Sequence, residues 1–75
     1  VKVFPNPVAE AIFITHPTEQ FFEVRITDVS GKQILQTGHQ KQQPLNVQTL
    51  TTGTYFITVT TKESKQTNTY KIIKQ

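Results

Sequence analysis

Gly53-Thr54-Tyr55-Phe56-Ile57-Thr58-Val59-Thr60-Thr61 decides how this chain folds. After the glycine, every residue of the stretch is β-branched or aromatic, the types that fit a pleated, half-buried surface. No proline or charge interrupts them. Strict alternation puts Tyr55, Ile57 and Val59 on one face and Thr54, Phe56, Thr58 and Thr60 on the other. The segment is therefore a strand with one apolar face that needs a core and one largely hydroxylic face that can meet water. A one-sided strand is not stable alone, so the remaining apolar alternations are the elements that must complete it.

On its C-terminal side, Lys62-Glu63-Ser64-Lys65-Gln66 has turn composition, and residues 67–73 follow as a closing strand expected to pair back onto Thr54–Thr61. Tyr70 and Ile72 share one face of that strand and Lys71 and Ile73 the other; alternation alone leaves open which face is inward. Upstream, Phe22-Glu23-Val24-Arg25-Ile26-Thr27 shows the cleanest alternation in the chain. Asp28-Val29-Ser30-Gly31-Lys32 then supplies turn chemistry, with Asp28 placed to cap backbone amides and Gly31 free to take positive φ. Gln33-Ile34-Leu35-Gln36-Thr37 returns as the partner strand of a hairpin. Gly38 to Gln43 reads as a soft connector closed by Pro44, and Leu45, Val47 and Leu50 add apolar contacts before Gly53.

Nearer the N-terminus, Ala11-Ile12-Phe13-Ile14-Thr15 is a strand with Ile12 and Ile14 on one face. Phe13 belongs to the other, where it packs in a second layer, covers a neighbouring strand, or is exposed to a partner. Lys2-Val3-Phe4 is a short extended piece running into Pro5-Asn6-Pro7, a rigid corner whose prolines lack amide donors and so belong at a sheet margin. His16 to Gln20 forms a polar loop. No apolar pattern at helical spacing persists, and strand signals recur every ten to twelve residues or so, as in an all-β sandwich. The expected fold is a small, antiparallel, immunoglobulin-like β-sandwich of about seven strands, one domain over residues 1–75. Its expected core is Val3, Ile12, Ile14, Phe22, Val24, Ile26, Val29, Ile34, Leu45, Val47, Leu50, Tyr55, Ile57, Val59 and Ile72.

Composition narrows the function. With 75 residues, a core of this kind buries only about 60% of the unfolded chain's surface. The chain has no cysteine, which removes disulfides and thiolate metal sites. Eight basic and five acidic residues leave a net charge of +3, with Lys62, Lys65, Lys71 and Lys74 clustered near the end. A nucleic-acid surface calls for a denser basic face with stacking aromatics; lysines in an edge strand more simply guard against aggregation. The apolar runs are too short to span a bilayer, and no N-terminal segment has the pattern of a signal peptide. His16 and His39 fall in expected loops without the three or four converging ligands that zinc requires. The carboxylates are dispersed, Ser30 and Ser64 have no histidine partner in the sequence, and Gly31, Gly38 and Gly53 form no phosphate-cradling loop. Asp28 and Ser30 begin like a calcium loop, but the ligand series stops there, and turn capping accounts for them. Neither an enzyme, a cofactor nor a metal is expected.

In order and spacing, the whole chain resembles the C-terminal sorting domain, type A, of proteins exported by the type IX (Por) secretion system of Bacteroidetes. The resemblance rests on Phe4-Pro5-Asn6-Pro7 followed by Ile12 and Ile14, on Val24-Arg25-Ile26-Thr27-Asp28-Val29-Ser30-Gly31-Lys32, on Leu50-Thr51-Thr52-Gly53-Thr54-Tyr55-Phe56-Ile57, and on Lys71-Ile72-Ile73-Lys74. Val8, where the family often has alanine, and the glutamine-rich connector Gln40 to Gln43 depart from the pattern. The resemblance implies an address label that ends a longer secreted cargo. It implies recognition by translocon and shuttle proteins on the periplasmic side, then removal at the cell surface by a sortase-like protease. The cargo is then released or attached to an anionic lipopolysaccharide. It also implies that the signal peptide sits at the cargo's far N-terminus and that cleavage falls near or before Val1. The residues expected to be recognised form two surfaces: Pro5, Asn6 and Pro7 with the Gly31-Lys32 hairpin, and the C-terminal strand from Tyr70 to Lys74, where Lys71, Ile73 and Lys74 present an edge. Gly53 and Tyr55 join the recognition set or simply hold the sandwich. The alternative is an adhesion or carbohydrate-binding sandwich module, which would need Phe13, Phe56 and Tyr70 exposed on one flat face.

Overall fold

A computed structural model of the chain describes residues 2–4, 10–40 and 43–75. The expected corner at Pro5, Asn6 and Pro7 lies outside the described residues. The strands are β1 (Lys2–Phe4), β2 (Ala11–Thr15), β3 (Phe21–Asp28), β4 (Gln33–Gln40), β5 (Leu45–Asn46), β6 (Gly53–Thr61) and β7 (Thr67–Lys74). They form a three-stranded sheet in the order β1-β2-β5 and a four-stranded sheet in the order β4-β3-β6-β7. Every pairing is antiparallel. The all-β architecture of two small antiparallel sheets that the alternation predicts is the architecture observed.

β6 is central, bonded to β3 on one side and β7 on the other. Its inward residues Tyr55, Ile57 and Val59 are buried, and Thr61 continues the same face. Antiparallel partners share a face, so the register fixes what joins them: Val24 lies across from Val59 and Ile26 from Ile57 on β3, while Ile72 lies across from Tyr55 on β7. Ile12, Ile14, Leu45 and Val47 close the core from the other sheet, and Val3 and Leu50 pack at its rim. The β7 face that alternation leaves open is thereby settled, with Ile72 inward at 1% exposure and Ile73 outward at 44%.

Two expected core residues are not in the core. Val29 is 70% exposed and Ile34 is 39% exposed. Val29 occupies the tip of the β3–β4 hairpin, where the tight turn directs its side chain away from both sheets. Ile34 falls at a register irregularity: Ile26 opposes Leu35 but Thr27 opposes Gln33, so a β-bulge skips Ile34 and gives the inward place to Leu35. The supposed connector at Gly38 and His39 is also strand, because β3 pairs with β4 from Phe21 to Thr27 and carries β4 to Gln40. Cross-strand pairing overrides weak local β-propensity here.

Candidate recognition surface

The β3–β4 hairpin is locked by Asp28. One carboxylate oxygen, Oδ1, accepts from the Ser30 amide at 2.9 Å, the Ser30 hydroxyl at 2.6 Å and the Lys32 amide at 3.1 Å. The Asp28 amide donates to the Lys32 carbonyl and the Gly31 amide to the Asp28 carbonyl, both at 3.0 Å. Gly31 takes φ of 89°, the left-handed region that favours glycine. The Ser30 hydroxyl, followed by the Lys32 and Ser30 amides, holds the Asp28 carboxyl below the ordinary carboxylate value.

Tyr55 lies across from Asp28 on β3 and from Ile72 on β7. Its ring is buried, and its hydroxyl donates to the Thr51 carbonyl at 2.8 Å. This tie, from a strand-entry tyrosine back to backbone a few residues upstream, matches the tyrosine corner of immunoglobulin-type sandwiches. On β7, Lys71 and Ile73 are exposed, but Lys74 is only 6% exposed, and its ammonium donates to the Gln75 carbonyl at 2.8 Å. The expectation that all the closing lysines are solvated fails at Lys74, because that position shares the inward face of Tyr70 and Ile72. Gly53 opposes Lys74 and Thr54 opposes Ile73.

These pairings merge the described parts of two surfaces that look separate in the sequence. β3 ends, β4 begins, β6 begins and β7 ends at the same end of the four-stranded sheet. Gly31, Lys32, Gly53, Tyr55, Lys71, Ile73 and Lys74 therefore gather at one end of the sandwich. Gly31, Lys32, Lys71 and Ile73 are on its outside, whereas Tyr55 and Lys74 support it from within.

The opposite end carries a fastening that sequence reading missed. Glu19 is 8% exposed, and its carboxylate accepts the Glu63 and Ser64 amides at 3.1 and 3.2 Å as well as the Ser64 hydroxyl. The Ser64 hydroxyl is the main cause of a Glu19 pKa lowered from its ordinary value, with backbone bonds from Ser64 and Glu63 and the nearby His16 adding to it against desolvation. His16 Nδ1 accepts from the Thr18 and Glu19 amides at 3.1 and 3.0 Å, shaping the loop that delivers the carboxylate. The partners lie 44 and 45 residues apart in sequence, so no local signal could reveal them.

The aromatics required for a flat glycan platform do not share a face. Phe13 stacks on Phe4 outside the three-stranded sheet, with ring centroids 5.8 Å apart. Phe56 is on the outer face of the four-stranded sheet, opposite Thr27 and Lys71. Tyr70 packs against the core. Around Phe56 the outer face is largely hydroxylic, with Thr58 and Thr69 hydroxyls 3.2 Å apart and Thr60 and Thr67 hydroxyls 3.1 Å apart. Among the described residues, no group of three or more His, Cys, Asp or Glu side chains could hold a metal ion.

The family model of the secretion system C-terminal sorting domain matches residues 2–75. The chain belongs to that family. Searches of curated proteins and of solved structures find no match. Membership makes the chain a C-terminal sorting signal for type IX secretion, a type of domain that is not catalytic. It ties the chain to the type IX secretion machinery and to a destination at the cell surface or beyond.

Proposed function

We propose that this sorting domain, a single unit over residues 1–75, ends a longer cargo and is read in the periplasm by translocon and shuttle proteins. A sortase-like protease then removes it at the cell surface, and the cargo is released or attached to an anionic lipopolysaccharide. The domain supplies a rigid shape for recognition, and the catalytic groups of the removal step belong to the protease. The observation that carries this reading is the convergence of the Gly31-Lys32 hairpin with Lys71 and Ile73 at one end of the sheet, through the Asp28–Tyr55–Ile72 row. A recognition element needs fixed geometry, because ordering a loose loop on binding lowers affinity. The hairpin's five short-range hydrogen bonds provide it. Pro5, Asn6 and Pro7 remain part of the proposed recognition set on the strength of the family resemblance.

The test is export of a periplasm-directed fluorescent reporter fused ahead of the chain, in a bacterium that has type IX secretion. Reporter at the surface or in the medium of the wild type, but not of a translocon mutant, is the expected result. Reporter held in the periplasm of both strains, with the domain folded, would overturn the reading.

A further inference from the structure

The converging end of the four-stranded sheet carries apolar side chains that the core does not use. Val29, Ile34 and Ile73 are exposed at 70%, 39% and 44%. Val29 projects from the locked hairpin, Ile34 from the bulge at the start of β4, and Ile73 from the end of β7. β4 and β7 are the two edges of the sheet, about 14 Å apart across three strand spacings of ~4.8 Å, with Ile73 further toward the end of the sheet than Ile34. Thr27, Thr54 and the half-buried Phe56 fill the face between them.

Leaving Val29 in water on a turn held by five hydrogen bonds, and Ile34 and Ile73 exposed on paired strands, forgoes burial without gaining local flexibility. It is the arrangement expected of anchors that enter pockets on a partner, since a few well-buried side chains carry most of an interface's energy and rigid ones lose little entropy on binding. The remaining exposed large apolar side chains among the described residues lie elsewhere: Phe4 is stacked on Phe13 outside the other sheet, and Phe21 is at the far end.

Charge indicates what the partner must be. Lys32 and Lys71 are exposed at this end, with Arg25 one row further along the same outer face. The carboxylate beside them, Asp28, is occupied by Ser30 and the Lys32 amide. Glu23 lies on the same outer face one row beyond Arg25, away from the converging end, 4.0 Å from Lys62. Glu19 and Glu63 are at the opposite end, and Glu10 precedes β2 in the other sheet. By formal charge the face carries Lys32, Lys71 and Arg25 against the carboxylate of Asp28, and so is net cationic as well as apolar. Building on the sorting reading, we propose that it is a single docking face, anchored by Val29, Ile34 and Ile73, for an acidic protein surface with apolar pockets between its carboxylates.

The export fusion tests this against its wild type. Val29→Ser/Ile34→Ser/Ile73→Ser should cut exported reporter about tenfold or more, on the scale of lost hot spots, with the variant accumulating folded in the periplasm. Phe21→Ser, an exposed aromatic off the face, should export normally. Lys32→Glu/Lys71→Glu should be defective as well. Normal export of the triple variant from a competent wild type would overturn the docking face while leaving the sorting role intact. Equal loss in Phe21→Ser would overturn its localisation, and normal export of the charge-reversed variant would overturn the acidic partner. A wild-type fusion that stays in the periplasm would instead overturn the sorting reading itself. Thermal melts of each purified variant identify any that fails to fold. If the triple variant does, Val29→Ser alone, at the most exposed of the three positions, decides the matter.

Discussion

Two carboxylates do the same job over different ranges of sequence. Asp28 ties residues within its own hairpin, whereas Glu19 ties the β2–β3 loop to the β6–β7 turn. Both have pKa values lowered in the folded state, so each contributes stability that is complete above its unfolded value and is lost as pH falls through the lower folded value. The melting temperature should accordingly be level near neutrality and fall as the pH drops below about 4.5, the ordinary value for Glu19. Glu19→Gln should lower the melting temperature at pH 7 and make this acid limb shallower; an unchanged acid limb would remove Glu19 from the linkage. Gly31→Ala meets no atom within 4 Å, yet must hold φ near 89°. Its cost should be about 1–2 kcal/mol from backbone strain alone, measured as a shift in the urea midpoint, with Gly31→Asn costing less. Asp28 and Gly31 were legible in the sequence because turn chemistry is local. Glu19 was not, because its hydrogen-bond donors are brought to it only by the fold.

At the scale of elements, alternation is enough to find β2, β3, β6, β7 and the first part of β4, but it shows β5 only as the apolar contacts of Leu45 and Val47 and does not place every residue within the strands. Alternation places Tyr55, Ile57 and Val59 inward because β6 is long and uninterrupted, and pairing on both sides holds them there. Ile57 has no solvent exposure, and Ile57→Ala should cost about 2–5 kcal/mol in a urea melt. Tyr55→Phe removes the bond to Thr51 and should cost about 1 kcal/mol, while Val29→Ala should stay within about 0.5 kcal/mol of wild type. Ile34 and Leu35 illustrate the limit. Two adjacent aliphatic residues satisfy either register, and only the bulge opposite Thr27 decides that Leu35 faces the core. Likewise β7 carries apolar residues on both faces, so its orientation had to come from pairing with β6 rather than from its own pattern.

For the whole molecule, the C-terminal strand has two roles that a simple truncation cannot separate. The sequence already reads residues 67–73 as a closing strand with Ile72 among the expected core residues, and assigns the same strand end to recognition. In the fold, Ile72 is a core residue at 1% exposure, and Ile72, Ile73 and Lys74 pair with Tyr55, Thr54 and Gly53. Removing these residues deletes a buried isoleucine and the outer partner of the start of β6. Because so small a domain buries only about 60% of its unfolded surface, little reserve remains to absorb the loss. Deletion of Lys71 to Gln75 should therefore abolish the cooperative melt of the sorting domain as well as export, while a fused reporter stays folded and fluorescent in the periplasm. Ile73→Ser, which changes only an outward side chain of the same strand, should keep the melt and still impair export. Circular dichroism melts beside the export measurement would separate the two effects. A truncated chain that melts like wild type would show that β7 is dispensable to the sandwich and that its contribution lies entirely in recognition.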